Sequence, residues 1–136
     1  MRTPEKVSAE LKPLQDLRAF EPRRVAVQLA VLCLNLSGRL PSDEQLNLAQ
    51  QIRRSAVSIA SNIAEGYARR SARGYAHYLM VAYGSLLELD TQLEIALGAG
   101  YLDNEDLTDV LPLVARAAGL LSEIVRGLGP DLAGLE

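Results

Sequence analysis

Apolar residues recur along this chain at intervals of three and four, the spacing of helices with one face turned inward. Val25, Leu29, Leu32 and Leu36 fall at i, i+4, i+7 and i+11. They predict a first long helix from Pro22 to Gly38, opened by Glu21-Pro22 and closed by glycine. Val27, Val31 and Leu34 widen its apolar face, so this helix should be covered on more than one side. Leu40-Pro41 breaks the pattern, and Ser42 with Gln45 has the spacing of a capping box. A second helix is expected from Asp43 to Tyr67 or Ala68, with Ile52, Ala56, Ile59 and Ile63 inward and Arg54, Ser58, Ser61 and Glu65 on a separate polar stripe. Ser71 should cap a third helix from Ala72 to Ala99, buried along Leu79, Leu86, Leu93 and Leu97. After Gly98-Ala99-Gly100, Asp103 or Asn104 should cap a fourth helix from Glu105 to Gly127. Leu107, Leu111, Val114, Ala118, Leu121 and Val125 give that helix one apolar face, and Pro112 should bend it or mark its first turns. No segment competes as a strand. Four helices with short connections predict an all-α, antiparallel up-down-up-down four-helix bundle.

The chain's 136 residues suit one domain with a substantial core. Residues 1–20, with Pro4 and Pro13, read as a flexible N-terminal arm holding at most a helical turn around Ala9 to Lys12; residues 21–128 form the bundle, and 129–136 a mobile tail. The single cysteine, Cys33, excludes an internal disulfide and a cysteine-based zinc site, and its apolar setting suits a buried structural thiol. No uninterrupted apolar run of about 18 residues suggests a membrane span, and the charged N-terminus has no apolar signal core. A cytoplasmic protein without membrane contact is expected.

A net charge of −3 conceals an asymmetry. Residues 1–74 hold 12 Lys and Arg against 7 Asp and Glu, a balance of +5, whereas residues 75–136 hold 2 against 10, a balance of −8. Two readings follow: a basic surface for a polyanion, or complementary attraction between neighbouring helices or subunits.

The densest polar stretch is Gln51 to Ser85. Arg53 and Arg54 lie in an apolar helix, where each would either pair with a carboxylate such as Glu88, Asp90 or Glu94, or contact a nucleic-acid backbone. Arg54, Ser58, Asn62, Glu65 and Glu88 read as a structural polar network. Glu65 and Glu88 would serve as acid and base only if they converged in a cleft. Arg69, Arg70 and Arg73 gather within five residues at a turn, the best place for phosphate contacts, with Tyr67, Tyr75, Tyr78 and Tyr83 nearby for stacking or for packing. His77 has no partner at metal-ligand spacing, and the Glu-x-x-His pattern of di-iron bundles is absent. No cofactor, metal or catalytic set is expected.

Leu40-Pro41, Gln51-Ile-Arg-Arg, Ser58-Ile59, Asn62-Ile-Ala-Glu-Gly66, Arg69 to Ser71, Tyr78-Leu79 and Gly84-Ser-Leu-Leu-Glu-Leu89 together resemble the four-helix-bundle proteins of the 23S rRNA intervening-sequence family. The resemblance spans about residues 25–126. The chain is also similar to the accessory variability proteins of diversity-generating retroelements, basic homopentamers that bind nucleic acid and a reverse transcriptase. These resemblances imply a four-helix bundle and a homopentamer. The chain departs from the family pattern at Ala60, where proline is frequent, and at Gly74 and Tyr83, where charged residues are common.

The sequence therefore predicts a non-enzymatic homo-oligomeric scaffold, a pentamer foremost, that offers a repeated surface to RNA, DNA or a protein. Contact with nucleic acid would run through Arg69, Arg70 and Arg73, supported by Arg53 and Arg54. The alternatives are a purely structural oligomer held by Arg–Glu pairs, and a nucleotide-handling hydrolase built on Glu65 and Glu88.

Overall fold

The structure, a computed structural model, describes residues 11–129. Helix α1 (Leu14–Ala19) is a short entry segment. The bundle proper consists of α2 (Glu21–Ser37), α3 (Leu48–Tyr67), α4 (Ala72–Gly98) and α5 (Val110–Leu128). The helical turn expected around Ala9 falls partly outside the described residues, as does the C-terminal tail beyond Gly129, and Leu11 and Lys12 are not helical.

Two helix starts differ from the sequence pattern, each for a local reason. The chain from Ser42 to Glu44 makes one turn of 3-10 helix, and Asn47 (φ −124°, ψ −102°) leaves helical geometry, so α3 begins at Leu48 rather than Asp43. Ser42 and Gln45 form no capping box. The Gln45 Nε2 donates instead to the carbonyls of Ser37 (3.0 Å) and Leu40 (2.9 Å), groups that the end of α2 leaves without helical partners. In the fourth helix, Asp103 and Asp106 do satisfy each other's backbone N–H groups, both at 2.9 Å. The chain then continues through i→i+3 turns, Leu107 N to Asn104 O and Thr108 N to Glu105 O, both 3.2 Å. A regular helix from Glu105 would place Pro112 in its interior, where the ring clashes with the carbonyl four residues back. Starting at Val110 puts Pro112 in the first turn, where its missing N–H costs nothing.

The other predicted starts are kept. Pro22 lies in the first turn of α2, and Gly38 follows its end. The Ser71 Oγ accepts from the Gly74 N–H at 3.0 Å and caps α4.

Contacts across the bundle fix the helix directions. Arg53 of α3 meets Ser37 at one end of α2, and Tyr67 meets Phe20 at the other, with ring centroids 5.0 Å apart, so these helices are antiparallel. Ser58 joins Ser85 and Arg69 joins Tyr78, so α3 and α4 are antiparallel as well. Arg39 pairs with Asp106 and Glu21 with Arg116, which runs α5 against α2. Up-down-up-down order follows. The core is a single cluster in which Leu29, Ile52, Ile59, Leu86, Leu93 and Leu121 are essentially sealed from solvent. At about 25 cal/mol per Å² of apolar surface removed from water, burial dominates the stability. The exposed Arg39–Asp106 and Glu21–Arg116 pairs add at most about 1 kcal/mol each.

Val27, Val31 and Leu34 remain exposed. Among the described residues nothing supplies the expected cover on a second side of α2, since α3 and α5 both pack on its other flanks. Among the described residues no helix is long and apolar enough to cross a membrane.

Candidate nucleic-acid interface

The stretch from Gln51 to Ser85 occupies α3, the turn after it and the first half of α4, and its polar residues divide into three separate groups. The first lies at the α2–α3 corner. Arg53 Nη2 donates to the Gln45 carbonyl at 2.8 Å, while Nη1 donates to Gln45 Oε1 at 3.2 Å and Ser37 Oγ at 3.3 Å. Arg53 therefore closes a loop onto neutral acceptors. It pairs with none of Glu88, Asp90 or Glu94, and its donors face inward rather than toward a ligand. Arg54, one residue on, is exposed and adjoins the Gln50 side-chain amide at 3.2 Å. It lies thirteen residues before Tyr67, about 20 Å along the helix axis from the basic turn. Neither arginine supports that turn.

The second group is a half-buried bridge between α3 and α4. Ser58 Oγ and Ser85 Oγ lie 2.8 Å apart, and Asn62 Nδ2 donates to the Ser58 carbonyl (2.9 Å) and hydroxyl (3.0 Å). The Ser58 and Asn62 portion of the expected network thus forms, with Ser85 as its partner from α4. Arg54, Glu65 and Glu88 lie outside it. Glu65 stands seven residues beyond Ser58 and Glu88 three beyond Ser85. On antiparallel helices joined at those serines the two carboxylates are ten positions apart, about 15 Å. Both are exposed. No acid–base cleft is formed by this pair.

The third group surrounds the turn between α3 and α4. Arg69 Nη2 donates to Glu65 Oε1 (2.6 Å) and to the Tyr78 hydroxyl (3.1 Å), and the guanidinium lies 4.6 Å above the Tyr78 ring. Arg69 is thereby a half-exposed brace for the turn. Arg70 and Arg73 are exposed and make no hydrogen bond or ion pair among the described residues. Gly66 allows the close crossing beneath them: a Cβ there would lie 3.0 Å from Tyr78 Cβ and 3.2 Å from the Tyr75 carbonyl.

Tyrosines at this end are largely engaged. Lys12 donates to the Tyr67 carbonyl at 2.6 Å and lies 4.4 Å above the Tyr67 ring, next to Phe20. Burial raises the Tyr75 hydroxyl above its usual range, with the neighbouring Tyr67 adding to the effect. Tyr83 packs against the core. His77 is exposed and meets only the edge of Tyr78, with centroids 5.0 Å apart. Among the described residues no three His, Cys, Asp or Glu side chains gather as a metal site.

Folding converts the charge asymmetry along the chain into one along the bundle axis. The start of α2 and the α3–α4 turn share one end, which collects exposed Lys12, Arg18, Arg24, Arg70 and Arg73, with Arg23 half-buried. The carboxylates at this end include Glu65, held by Arg69, and Glu21, held by Arg116. The opposite end carries Asp43, Glu44, Asp103, Glu105, Asp106 and Asp109 against Arg39, which is paired with Asp106. Sequence reasoning found the turn arginines because they are contiguous. It missed Lys12, Arg18, Arg23 and Arg24, whose only signal was the positive balance of the N-terminal half.

Fold and site together define a class: an electrically polar four-helix bundle without an assembled catalytic centre among the described residues. The model for 23S rRNA-intervening sequence proteins matches residues 19–123, spanning all four bundle helices except the last turns of α5. The chain belongs to that family. A crystal structure from Bacteroides thetaiotaomicron VPI-5482, described as a protein of unknown function from the S23 ribosomal protein family, is similar at 24% identity with a TM-score of 0.72. The match covers 77% of this chain and 98% of that one, and it speaks for the fold. No curated protein matches this chain.

Proposed function

We propose that this protein is a non-enzymatic, homo-oligomeric helical scaffold whose basic end contacts RNA or DNA. The observation that carries this reading is the gathering of Arg18, Arg24, Arg70 and Arg73 on one exposed end, while most free carboxylates lie elsewhere. Such an end attracts phosphate by long-range field and by direct guanidinium contacts. The acidic remainder limits contact to that end, because a strand lying along α4 would meet Glu88, Asp90 and Glu94. Oligomerisation, a pentamer by the resemblance to retroelement accessory proteins, would present several such ends together and raise affinity through avidity.

The test is fluorescence anisotropy of labelled structured RNA and duplex DNA across a salt series. Arg70→Ala with Arg73→Ala should weaken binding and flatten the salt dependence by about one unit of log slope for each lost phosphate contact. Arg54→Ala should change neither. Unaltered affinity and slope in the double variant would remove the basic end as the contact surface.

A further inference from the structure

We infer that Tyr67 and Tyr75 form a stacking surface for unpaired bases, which the chain's own Lys12 covers in this structure. This rests on the basic-end contact proposed above and adds the form of nucleic acid it takes, single strands in preference to duplex. Tyr67 closes α3 and Tyr75 stands in the first turn of α4, so the turn that carries Arg70 and Arg73 joins them. Both tyrosines are half-buried. Phe20 lies against Tyr67 with centroids 5.0 Å apart, and Phe20 and Tyr75 rest on the hydrophobic core, which gives the group a fixed backing. The Lys12 Nζ sits 4.4 Å from the centroid of Tyr67 and 5.9 Å from that of Tyr75, one ammonium shared by two rings. Aromatic faces are thus presented at this end, and a side chain 55 residues away from Tyr67 in sequence fills the space over them.

Lys12 is a weakly held occupant. It is exposed, and among the described residues it has no carboxylate partner, only the hydrogen bond to the Tyr67 carbonyl at 2.6 Å. Arg69 makes the contrast, held at once by Glu65, the Tyr78 hydroxyl and the Tyr78 ring. The segment that delivers Lys12 is thinly anchored as well. Helix α1 has six residues, buries none of them and has no side-chain cap, and a helix so short does not hold in water without outside support. An exposed ammonium over a ring contributes about two- to fivefold to an equilibrium, whereas stacking of a base contributes about fivefold or more. A base can therefore displace Lys12. Charge chooses the ligand: exposed Arg18, Arg70 and Arg73 repel a free cation, while a nucleotide brings a flat face to the tyrosines and a phosphate to the arginines. In a duplex the base faces are covered by their neighbours, which leaves only phosphates to contact.

The test is Lys12→Ala, for which charge and stacking predict opposite signs. Losing a cation weakens single strands and duplex together; uncovering the tyrosines strengthens single strands alone. Fluorescence anisotropy would compare labelled single strands of about 12 uridines or thymidines with a duplex of equal length. Single-strand affinity should rise about two- to fivefold, for RNA and DNA alike, with duplex affinity unchanged or lower. In the Lys12→Ala background, Tyr67→Leu should remove the gain and Tyr67→Phe should keep it, since the ring and not the hydroxyl stacks. Should Tyr67→Leu fail to fold by circular dichroism, the Tyr67 ring-proton signals of the Lys12→Ala protein give the same answer, moving upfield as the single strand is added. Single-strand affinity that is unchanged or falls in step with duplex affinity, or Tyr67 signals that stay in place, would overturn the stacking surface and leave the basic end as a phosphate contact. Failure of wild type and variant alike to bind either form would overturn the basic end as well.

Discussion

Replacing Gly66 by alanine isolates what the α3–α4 crossing contributes. In an exposed helix this change stabilises by about 1 kcal/mol, because alanine loses less backbone entropy on folding. Here the new methyl would lie 3.0 Å from Tyr78 Cβ and 3.2 Å from the Tyr75 carbonyl oxygen. Neither atom is the free end of a flexible side chain, so α3 and α4 must separate locally. Overpacking of this kind costs about 1–3 kcal/mol. With contacts to backbone and Cβ the upper part of that range applies, leaving a net loss of about 1–2 kcal/mol. Gly119 in α5 is the control, since a Cβ there meets nothing within 4 Å; Gly119→Ala should gain about 0.5–1 kcal/mol. Urea unfolding followed by circular dichroism, at one fixed protein concentration because assembly adds to apparent stability, reads both changes. At a slope near 1.5 kcal/mol per M the Gly66→Ala midpoint should fall by about 1 M. A midpoint equal to or above wild type, with unchanged slope, would show that the crossing is not limited by close approach.

Two further substitutions follow from the same geometry. Arg53→Ala should cost about 1–3 kcal/mol in urea unfolding, because it strands the Gln45 carbonyl and amide oxygen at the α2–α3 corner; Arg53→Lys should restore little, and RNA affinity of the folded variant should match wild type. Burial pushes the Cys33 thiol up to about 12 from its ordinary 9.0, so thiol reagents at pH 8 should label it only on unfolding. Since the folded value is the higher one, its stabilising effect is complete below pH 9 and lost as pH rises toward 12, at about 1.4 kcal/mol per pH unit between them. Cys33→Ala should remove that component of the alkaline stability slope.

Much of the bundle was legible because its stripes are long and regular. Leu79, Leu86 and Leu93 on α4 and Ile52, Ile59 and Ile63 on α3 could satisfy their apolar faces in only one way. The helix starts were less legible. Gln45 has the spacing of a cap but finds better acceptors at the end of α2, and Pro112 delays α5 past its acidic lead. Both outcomes depend on what a neighbouring segment offers. The polar stretch was legible as a set of residues but not as a set of partners. Helical spacing places Ser58 and Glu65 on one stripe, yet it says nothing of the register against α4 that joins Ser58 to Ser85 and leaves Glu88 about 15 Å from Glu65.

The sequence by itself determined the all-α class, the inward faces, the Ser71 cap and the contiguous turn arginines, all consequences of spacing within one segment. Tertiary structure decided that Arg53 is an internal brace, that Gly66 serves a close crossing, and that the arginines of α2 join those of the turn at one end. It also left the seams of Val31 and Leu87 facing solvent on separate helices. Periodicity shows which side of a helix avoids water. Only packing shows which of those sides the chain covers for itself.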